Sequence, residues 1–561
     1  MGKKTVRYLL PLIHFILSFF YERIIITFNN TSGIRLAIPR SDAFSDTAEH
    51  VMAYGISKLF AAVFIFLLWK LIFFVFSNLN KLSVKVSLTI FVILVVIFGV
   101  FLLPDVKLRS ADNYITYLYA INLWPEYWHS AYLSIIYTAL LMIFPNPVII
   151  SIMQWVGLSF AIGYAFERVE SSPVLKGKLK WVVLAVFLLP NSYILVVDAY
   201  RTEIYAIICM FFVTVLVMDA VDGVKRNTLQ MILLAVLAGF LAVFRSEGII
   251  LGVGGYMAML IYGYKLNVKK VIAFSAAAVV AFILFAVPQK LGDRKYYGKD
   301  YTIINSFPSL VNILNSESHN ITYDGAEEAL GDINRVVPLD VIRFYGMNGY
   351  HRFNLTEGRA DINQSYASDL RASAYVSGFY SLVFHNPGIY LKTQGVMWLQ
   401  SLCFDIYPYV EPAVGLPHST EIVDFSFDTW YTGEAKYTED LGFEAWAENP
   451  FRKAVAGLLD EFFTAVHNVS FKVLFIATIT LIVLTILSVV IMGRECVLFF
   501  EKKRENTAIG VFMLILLIQY AAIVLVMPAG AQVYFHATYI GMFVTAIIYL
   551  NKLLCDKKAE K

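Results

Sequence analysis

The chain has 561 residues, of which 58% are hydrophobic and only 16% are charged, and its mean hydropathy is +0.66. Because a water-soluble domain carries roughly 25% charged residues, this composition excludes an ordinary soluble protein and indicates a chain that mostly faces lipid. The formal net charge of +3 is too small to indicate nucleic acid as a partner. The four cysteines are scattered and match neither a disulfide framework nor a zinc site (Cys209, Cys403, Cys496 and Cys555).

Apolar runs long enough to cross a bilayer recur along the chain. A spanning helix needs about 20 apolar residues, and lipid favours helices because every backbone amide must be paired internally. The first run follows Lys3, Lys4 and Arg7 without a small-residue cleavage site, so we interpret it as a retained span rather than a signal peptide. The predicted spans are 8–28, 57–77, 86–103, 147–166, 181–198, 203–220, 229–244, 249–264, 271–287, 471–492, 507–527 and 536–551.

Lysine and arginine in the short loops set the orientation of these spans. With the N-terminus in the cytoplasm, basic clusters such as Lys176, Lys178 and Lys180 fall inside. An even number of spans keeps the basic tail inside as well. The sequence therefore predicts a multi-pass plasma-membrane protein with both termini cytoplasmic.

Residues 127–144 are apolar, but they fit this topology only if they do not cross the membrane. Counting them as a span would move the basic run KGKLK outside. Aromatic residues such as Trp128 and Tyr132 are typical of the headgroup level. We therefore interpret 127–144 as a helix lying in the outer interface; an ordinary span is the alternative.

A polar segment interrupts the hydrophobic pattern late in the chain. Residues 288–470 follow a span that ends outside, so they predict a large, mostly α-helical extracytoplasmic domain. The fold class is an all-α polytopic membrane protein with about twelve transmembrane helices. The predicted domains are 1–85 as an N-terminal two-span addition, 86–287 as a transmembrane core with its first outer loop at 104–146, 288–470 outside, and 471–561 as a three-span bundle.

Polar and ionisable side chains collect on the predicted outer turns. Ionisable residues near membrane depth are costly and commonly mark function. They follow the third span, flank the interfacial helix and occupy three later outer turns (Asp105, Asp112, Glu126, His129, Asp198, Arg201, Glu203, Arg245, Glu247, Gln532, Tyr534 and His536). The sequence predicts that these groups line one cleft at the outer face.

Each of these residues also has a structural explanation. The Arg-x-Glu sequences at 201–203 and 245–247 fit tight turns at the water interface, and a lone histidine is more often structural than catalytic. Asp112 fits a helix N-cap. Glu22 and Arg23, in the first span, fit a mutual ion pair.

The segment 105–155 resembles the first outer loop of GT-C type membrane glycosyltransferases, which include protein O-mannosyltransferases and aminoarabinose transferases. In that family an acidic residue follows an outward span, and an interfacial helix often opens with His-Pro-Pro. Here Asp112 matches the acidic position and WHSAY (128–132) stands where that helix opens, without the prolines. FRSEGIIL (244–251) resembles the family's Arg-x-Glu-Gly turn, and YFHATY (534–539) loosely resembles its last outer loop.

The resemblance implies a GT-C-like fold and transfer of a sugar from a polyprenyl-phosphate carrier to an extracytoplasmic acceptor, with inversion at the anomeric carbon. It implies Asp112 as the general base. The expected substrate-binding residues are Arg245, Glu247, Arg201, Glu203, His129, His536, Asp105 and Tyr534. Arg245 and Arg201 would bind phosphate; the two glutamates would orient them or, as the alternative, hold a divalent cation. A transporter or lipid-linked glycan flippase is the alternative function.

Overall fold

The computed structural model describes residues 3–31, 47–96, 116–117, 119–146, 148–175, 178–187, 201–296, 300–347, 370–401, 507–526 and 535–559, with single positions between 483 and 497. Every regular element in this part of the chain is helical, as the sequence predicts. The first helices are α1 (Lys3–Thr31), α2 (Thr47–Ser77), α3 (Leu82–Leu94), α4 (Ala131–Ile143), α5 (Val148–Ser171), α6 (Leu179–Phe187), α7 (Arg201–Asp222) and α8 (Thr228–Phe244). They are followed by α9 (Ile250–Gly263) and by α10 (Val268–Tyr296), α11 (Asp300–Asn315), α12 (Ala326–Asn334), α13 (Leu339–Met347), α14 (Leu370–His385), α15 (Pro387–Ser401), α16 (Thr507–Val526) and α17 (His536–Ala559).

Five helices in the described ranges are long and apolar enough to cross a membrane. They are His50–Ser77, Val148–Ser171, Thr202–Asp222, Val268–Arg294 and Ala508–Val526. Three other predicted spans (229–244, 249–264 and 536–551) overlap shorter apolar helices, as does the described part of 86–103. The predicted span 8–28 lies within α1, whereas 181–198 and 471–492 lie partly outside the described residues.

The apolar helices divide into central and peripheral ones. In α7, 72% of the most apolar stretch is buried inside the protein, against only 11% in α2 and in α10. A helix that is hydrophobic all round yet exposed on the protein is typical of a membrane span. Helix α7 therefore lies in the middle of the bundle, and α2 and α10 present apolar surface at its periphery.

Helices α8 and α10 pack closely because a glycine lies at their contact. A Cβ atom built on Gly239 would come within 2.6 Å of the backbone nitrogen of Phe282 and 2.7 Å of the Cβ of Ala281. Small residues at helix crossings allow the two backbones to approach, as is common in membrane helices. This contact fixes α10 beside α8, which runs between the two ends of the bundle.

The two ends of the bundle are named here from α8. It begins just after Arg226 and ends just before Arg245, a rise of about 25 Å. We call these the Arg226 end and the Arg245 end. The C-termini of α5, α7 and α9 meet at the Arg226 end, so the N-terminus of α7 and the start of α9 lie at the Arg245 end.

A buried ion-pair network closes the Arg226 end. Asp219 accepts hydrogen bonds from Arg168 at 3.2 Å, from Arg226 at 2.6 and 2.8 Å, and from Tyr264 at 2.6 Å. These residues come from α5, α7, the turn before α8 and the end of α9. Hydrogen bonding to Asp219 raises the pKa of Arg226 above its ordinary value. The network fixes four helices to one another.

Helix α9 departs from α-helical geometry. Its residues Ile250–Gly255 and Met259–Gly263 form π-helical turns on either side of Tyr256–Ala258. The hydroxyl of Tyr256 is buried and donates to the carbonyl of Met231 at 2.7 Å. The predicted span 249–264 is therefore an irregular helix held inside the bundle.

Helix α4 differs from the expected interfacial helix. All 13 of its residues are buried, and its last carbonyl, of Ile143, lies 3.0 Å from the Nε2 atom of His14 in α1. Its length of about 20 Å is too short for a span. The rings of Trp124, Tyr127, Tyr132 and Tyr137 are buried in protein rather than exposed to lipid headgroups.

Helices α1 and α2 are joined by a buried ion pair. Lys58 donates to Glu22 at 2.8 Å, and the hydroxyl of Tyr54 lies 3.0 Å from the same carboxylate. The Lys58 ammonium also lies 3.6 Å from the centroid of Phe19. The predicted partner of Glu22, Arg23, has its side chain outside the described residues, so that pair stays a prediction; Glu22 binds groups from the next helix.

Helices α11 to α15 form a unit with a hydrophobic core of its own. Phe307, Leu310, Ile333 and Tyr375 are among its buried residues. This unit covers the described parts of the predicted domain 288–470, although α10 continues to Tyr296 before it begins. It contacts the bundle through α15, where Trp398 donates to the hydroxyl of Tyr520 in α16.

Candidate active site

The turn after α8 places Arg245 and Glu247 side by side. Arg245 has an extended backbone, which ends the helix, and its carbonyl accepts the N–H of Gly248 at 3.0 Å. The guanidinium Nε donates to Glu247. The side chains are only 13% and 11% exposed. The pair therefore forms a compact, largely desolvated charge pair at the Arg245 end.

Tyr205 lies beneath this pair. The guanidinium carbon of Arg245 is 5.7 Å from the centroid of the Tyr205 ring, within cation–π range. A Cβ atom at Gly248 would approach the Tyr205 hydroxyl to 3.0 Å and the carbonyl of Leu241 to 2.0 Å, so the turn requires glycine. Sequence analysis did not identify Tyr205, because Tyr205 and Arg245 are distant in sequence and meet only in the folded bundle.

The first turn of α7 brings a carboxylate to the same end. Arg201 begins this helix, although its side chain lies outside the described part. Glu203 is 1% exposed. A carboxylate in the first turn interacts favourably with the partial positive charge of a helix N-terminus. The side chain of Glu203 thus lies in the protein interior rather than at an aqueous surface.

A second pair of ionisable side chains, Glu126 and His129, lies in the segment before α4. The Nδ1 atom of His129 lies 2.9 and 3.0 Å from the two carboxylate oxygens of Glu126. One of these oxygens also accepts the backbone N–H of His129 at 3.1 Å, and the other accepts the hydroxyl of Thr116 at 3.0 Å. The side chains of Glu126 and His129 are 0% and 2% exposed.

Gln289 of α10 holds this segment in place. Its Nε2 donates to the carbonyl of Tyr127 at 2.8 Å, and its Oε1 accepts the N–H of Ala131 at 2.7 Å. The hydroxyl of Tyr132 also donates to the carbonyl of Phe285 at 2.8 Å. Residues 127–132 are therefore fixed to α10. Gln289 was missed from the sequence because an isolated glutamine at the end of a span carries no recognisable pattern.

A row of four aromatic rings runs from Tyr132 to Tyr205. Tyr132 contacts Phe240 with ring centroids 5.9 Å apart, Phe240 contacts Phe244 at 5.3 Å, and Phe244 stacks on Tyr205 at 6.3 Å. These separations are typical of favourable aromatic pairs. Arg245 lies over Tyr205 at one end of this row, and Tyr132, at the other end, follows His129 by three residues along the chain.

The structure thus brings Arg245 and Glu247 together, and places His129 and Glu203 at the same end. It does not position the remaining predicted residues. Asp105, Asp112 and Tyr534 lie outside the described residues, as do the side chains of Arg201 and His536. The juxtaposition of Asp112 with Arg245 therefore stays a prediction. Within the described ranges, no group of three or more His, Cys, Asp or Glu residues is arranged to hold a metal ion.

Comparisons with known proteins identify no relative of this chain. No protein-family model, curated protein or solved structure matches the chain.

Proposed function

We propose that the chain is a membrane glycosyltransferase that moves a sugar from a polyprenyl-phosphate carrier to an acceptor at the Arg245 end, on the extracytoplasmic side of the membrane. The observation that supports this most is that two pairs of buried ionisable side chains, Arg245–Glu247 and Glu126–His129, lie at the same end of the bundle. Burying ionisable groups costs free energy unless they are well compensated. Such groups are concentrated at reaction sites.

The guanidinium of Arg245 supplies the electrostatic part of this reaction. When the sugar–phosphate bond breaks, negative charge develops on the departing phosphate. Arginine can bind phosphate oxygens with paired donors, and such preorganised donors act strongly in a site with little water. Glu247 and the Tyr205 ring hold the guanidinium in orientation. Arg201 and Glu203 complete the proposed carrier-phosphate site.

The lipid carrier requires a route from the bilayer. Helix α10 exposes apolar side chains such as Ile283, Leu284 and Val287, and it carries Gln289 one turn further on. A polyprenyl chain lying along this surface would present its phosphate near the Arg245 end. The helical unit α11 to α15, attached through α15, would bind the acceptor. Asp112, which the family resemblance implies as the general base, lies outside the described residues.

A transporter is the second candidate, and α9 favours it. Discontinuous helices near the middle of the membrane commonly form transport sites, and π-turns are frequent at functional sites. However, Gly255 of α9 lies against Phe512, since a Cβ there would contact its ring at 3.1 Å. The buried charged pairs lie at the ends of the bundle instead.

Reconstitution separates the two candidates. We would incorporate the purified protein into liposomes with radiolabelled polyprenyl-phosphate sugars and, separately, with nucleotide sugars. Covalent transfer of label from the polyprenyl donor alone would support the proposal. Movement of the intact lipid-linked sugar between leaflets, without release of the carrier phosphate, would replace it with the flippase. Absence of both processes across the panel would contradict both functions.

A further inference from the structure

The Glu126–His129 pair is built as a fixed unit. The carboxylate contacts the hydroxyl of Thr116, the backbone N–H of His129 and the ring Nδ1. The backbone N–H of Glu126 donates in turn to Ser134 at 2.8 Å. Three residues of one segment, Thr116, Glu126 and Ser134, therefore position the imidazole of His129.

The direction of these hydrogen bonds defines the role of each partner. With Glu126 ionised, its carboxylate only accepts, and the Nδ1 atom of His129 then carries the hydrogen and donates to it. The neutral imidazole then bears its lone pair on Nε2. Both oxygens of Glu126 already accept at least one donor, which suits Glu126 to orienting the ring rather than to taking a proton from substrate.

The backbone just before this pair is strained. Leu123 has a φ of 55°, in the left-handed region that costs L-residues free energy. Its N–H donates to the carbonyl of Ala120 at 3.1 Å, and that of Trp124 to Tyr119 at 2.9 Å. This is a Schellman turn with leucine where glycine is usual. Strained backbone persists where surrounding structure holds it, and it clusters at functional sites.

We propose that His129 is the proton acceptor for the acceptor hydroxyl and that Glu126 is its positioning residue; this rests on the glycosyl-transfer function proposed above. The hydroxyl proton moves to Nε2 of His129 while the hydroxyl oxygen bonds to the anomeric carbon. The bond from that carbon to the phosphate oxygen breaks, and its electron pair leaves with the polyprenyl phosphate near Arg245. Glu126 stabilises the imidazolium that forms.

This assignment differs from the one that the family resemblance gives to Asp112, so a set of variants can separate them. In the liposome assay, His129→Gln should lower kcat by about a hundredfold or more, with KM for the lipid donor within about twofold. Glu126→Gln should lower kcat by at least about tenfold, and Glu126→Asp should recover part of it. Glu170→Gln is the matched control for Glu126→Gln, because Glu170 is 37% exposed and lies in the last turn of α5, at the Arg226 end.

The tautomer of His129 gives a readout independent of activity. Nitrogen-15 spectra of the histidine-labelled protein at alkaline pH should show His129 with hydrogen on Nδ1, and Glu126→Gln should shift its ring signals toward a mixture of tautomers. A wild-type neutral ring with hydrogen on Nε2 would overturn the proposal without any variant having to fold.

The outcomes also distinguish this inference from the proposed function. If the wild type transfers sugar and His129→Gln retains its kcat, His129 is structural and only the inference fails. If Asp112→Asn abolishes transfer while His129→Gln does not, the base is Asp112. If the wild type transfers no sugar from any polyprenyl donor, the proposed function fails, whatever the tautomer of His129.

Discussion

The two ends of the bundle use buried charges differently. At the Arg226 end, Asp219 binds Arg168, 51 residues away, and Tyr264, 45 residues away. At the Arg245 end, the pairs of ionisable side chains are local: Arg245 and Glu247 are two residues apart, and Glu126 and the neutral His129 three. Long-range pairs fix helices to one another, whereas local pairs add little to the tertiary structure.

This difference indicates where function lies. Burying a charged pair carries a desolvation cost of several kcal/mol per ion. At the Arg226 end the network that links four helices offsets that cost. At the Arg245 end, Arg245 pairs with Glu247 two residues away and Glu126 contacts His129 three residues away, so neither of these two contacts by itself joins two helices. We therefore interpret the Arg226 end as structural and the Arg245 end as the site of chemistry.

The largest expected loss of stability follows a change at Asp219. Asp219→Asn removes the negative charge that two arginines share, and leaving buried charges uncompensated typically costs about 3–5 kcal/mol. We expect a much lower thermal midpoint in detergent, with sugar transfer per folded molecule unchanged. Asp332→Asn is the control, because its partner Arg335 is 61% exposed and exposed pairs contribute about 0–1 kcal/mol. Equal thermal midpoints for Asp219→Asn and Asp332→Asn would contradict a structural role for the Arg226 end.

A smaller loss is expected where α8 meets α10. Gly239→Ala places a methyl group against the backbone of Phe282, and such overpacking typically costs about 1–3 kcal/mol. The helices must separate, which also displaces Gln289 from residues 127–131. We expect both a lower thermal midpoint and slower transfer. Gly331→Ala is the control, since no atom lies within 4 Å of its added Cβ; an equal loss in both variants would argue against a specific contact.

The smallest effects concern two residues with left-handed backbone at the Arg226 end. Gly223 has a φ of 62° and Lys265 a φ of 49°. Gly223→Ala should destabilise the protein and Lys265→Gly should stabilise it, each by about 1 kcal/mol. Neither should alter sugar transfer. A change in turnover by either variant, measured beside its thermal midpoint, would couple this end to the chemistry and weaken the comparison.

Part of the fold follows directly from the sequence. Hydropathy identifies α2, α5, α7, α10 and α16, because long apolar runs leave few alternatives to a helix. The position of α4 does not follow, because its apolar residues fit a lipid interface and a protein interior equally well. The Tyr54 and Lys58 partners of Glu22 lie 32 and 36 residues away, and hydropathy carries no information on such pairs.

The candidate site was predictable to a similar extent. The Arg-x-Glu-Gly turn and the Glu-x-x-His spacing are local patterns, so they could be selected from the sequence. The contact of Tyr205 with Arg245 depends on how α7 packs against α8. The contact of Gln289 with residues 127–131 depends on how α10 packs against α4 and the segment before it. Such contacts require the three-dimensional arrangement, which no local pattern encodes.

The most direct test compares Arg245→Gln with Arg226→Gln, the same change at opposite ends of α8, in the polyprenyl-phosphate sugar transfer assay. We expect Arg245→Gln to lower kcat by about 10²–10³-fold, as for loss of one preorganised donor, with its thermal midpoint little changed. Arg226→Gln should lower the thermal midpoint and leave kcat per folded molecule unchanged. Equal transfer by wild type and Arg245→Gln would contradict a reaction site at the Arg245 end.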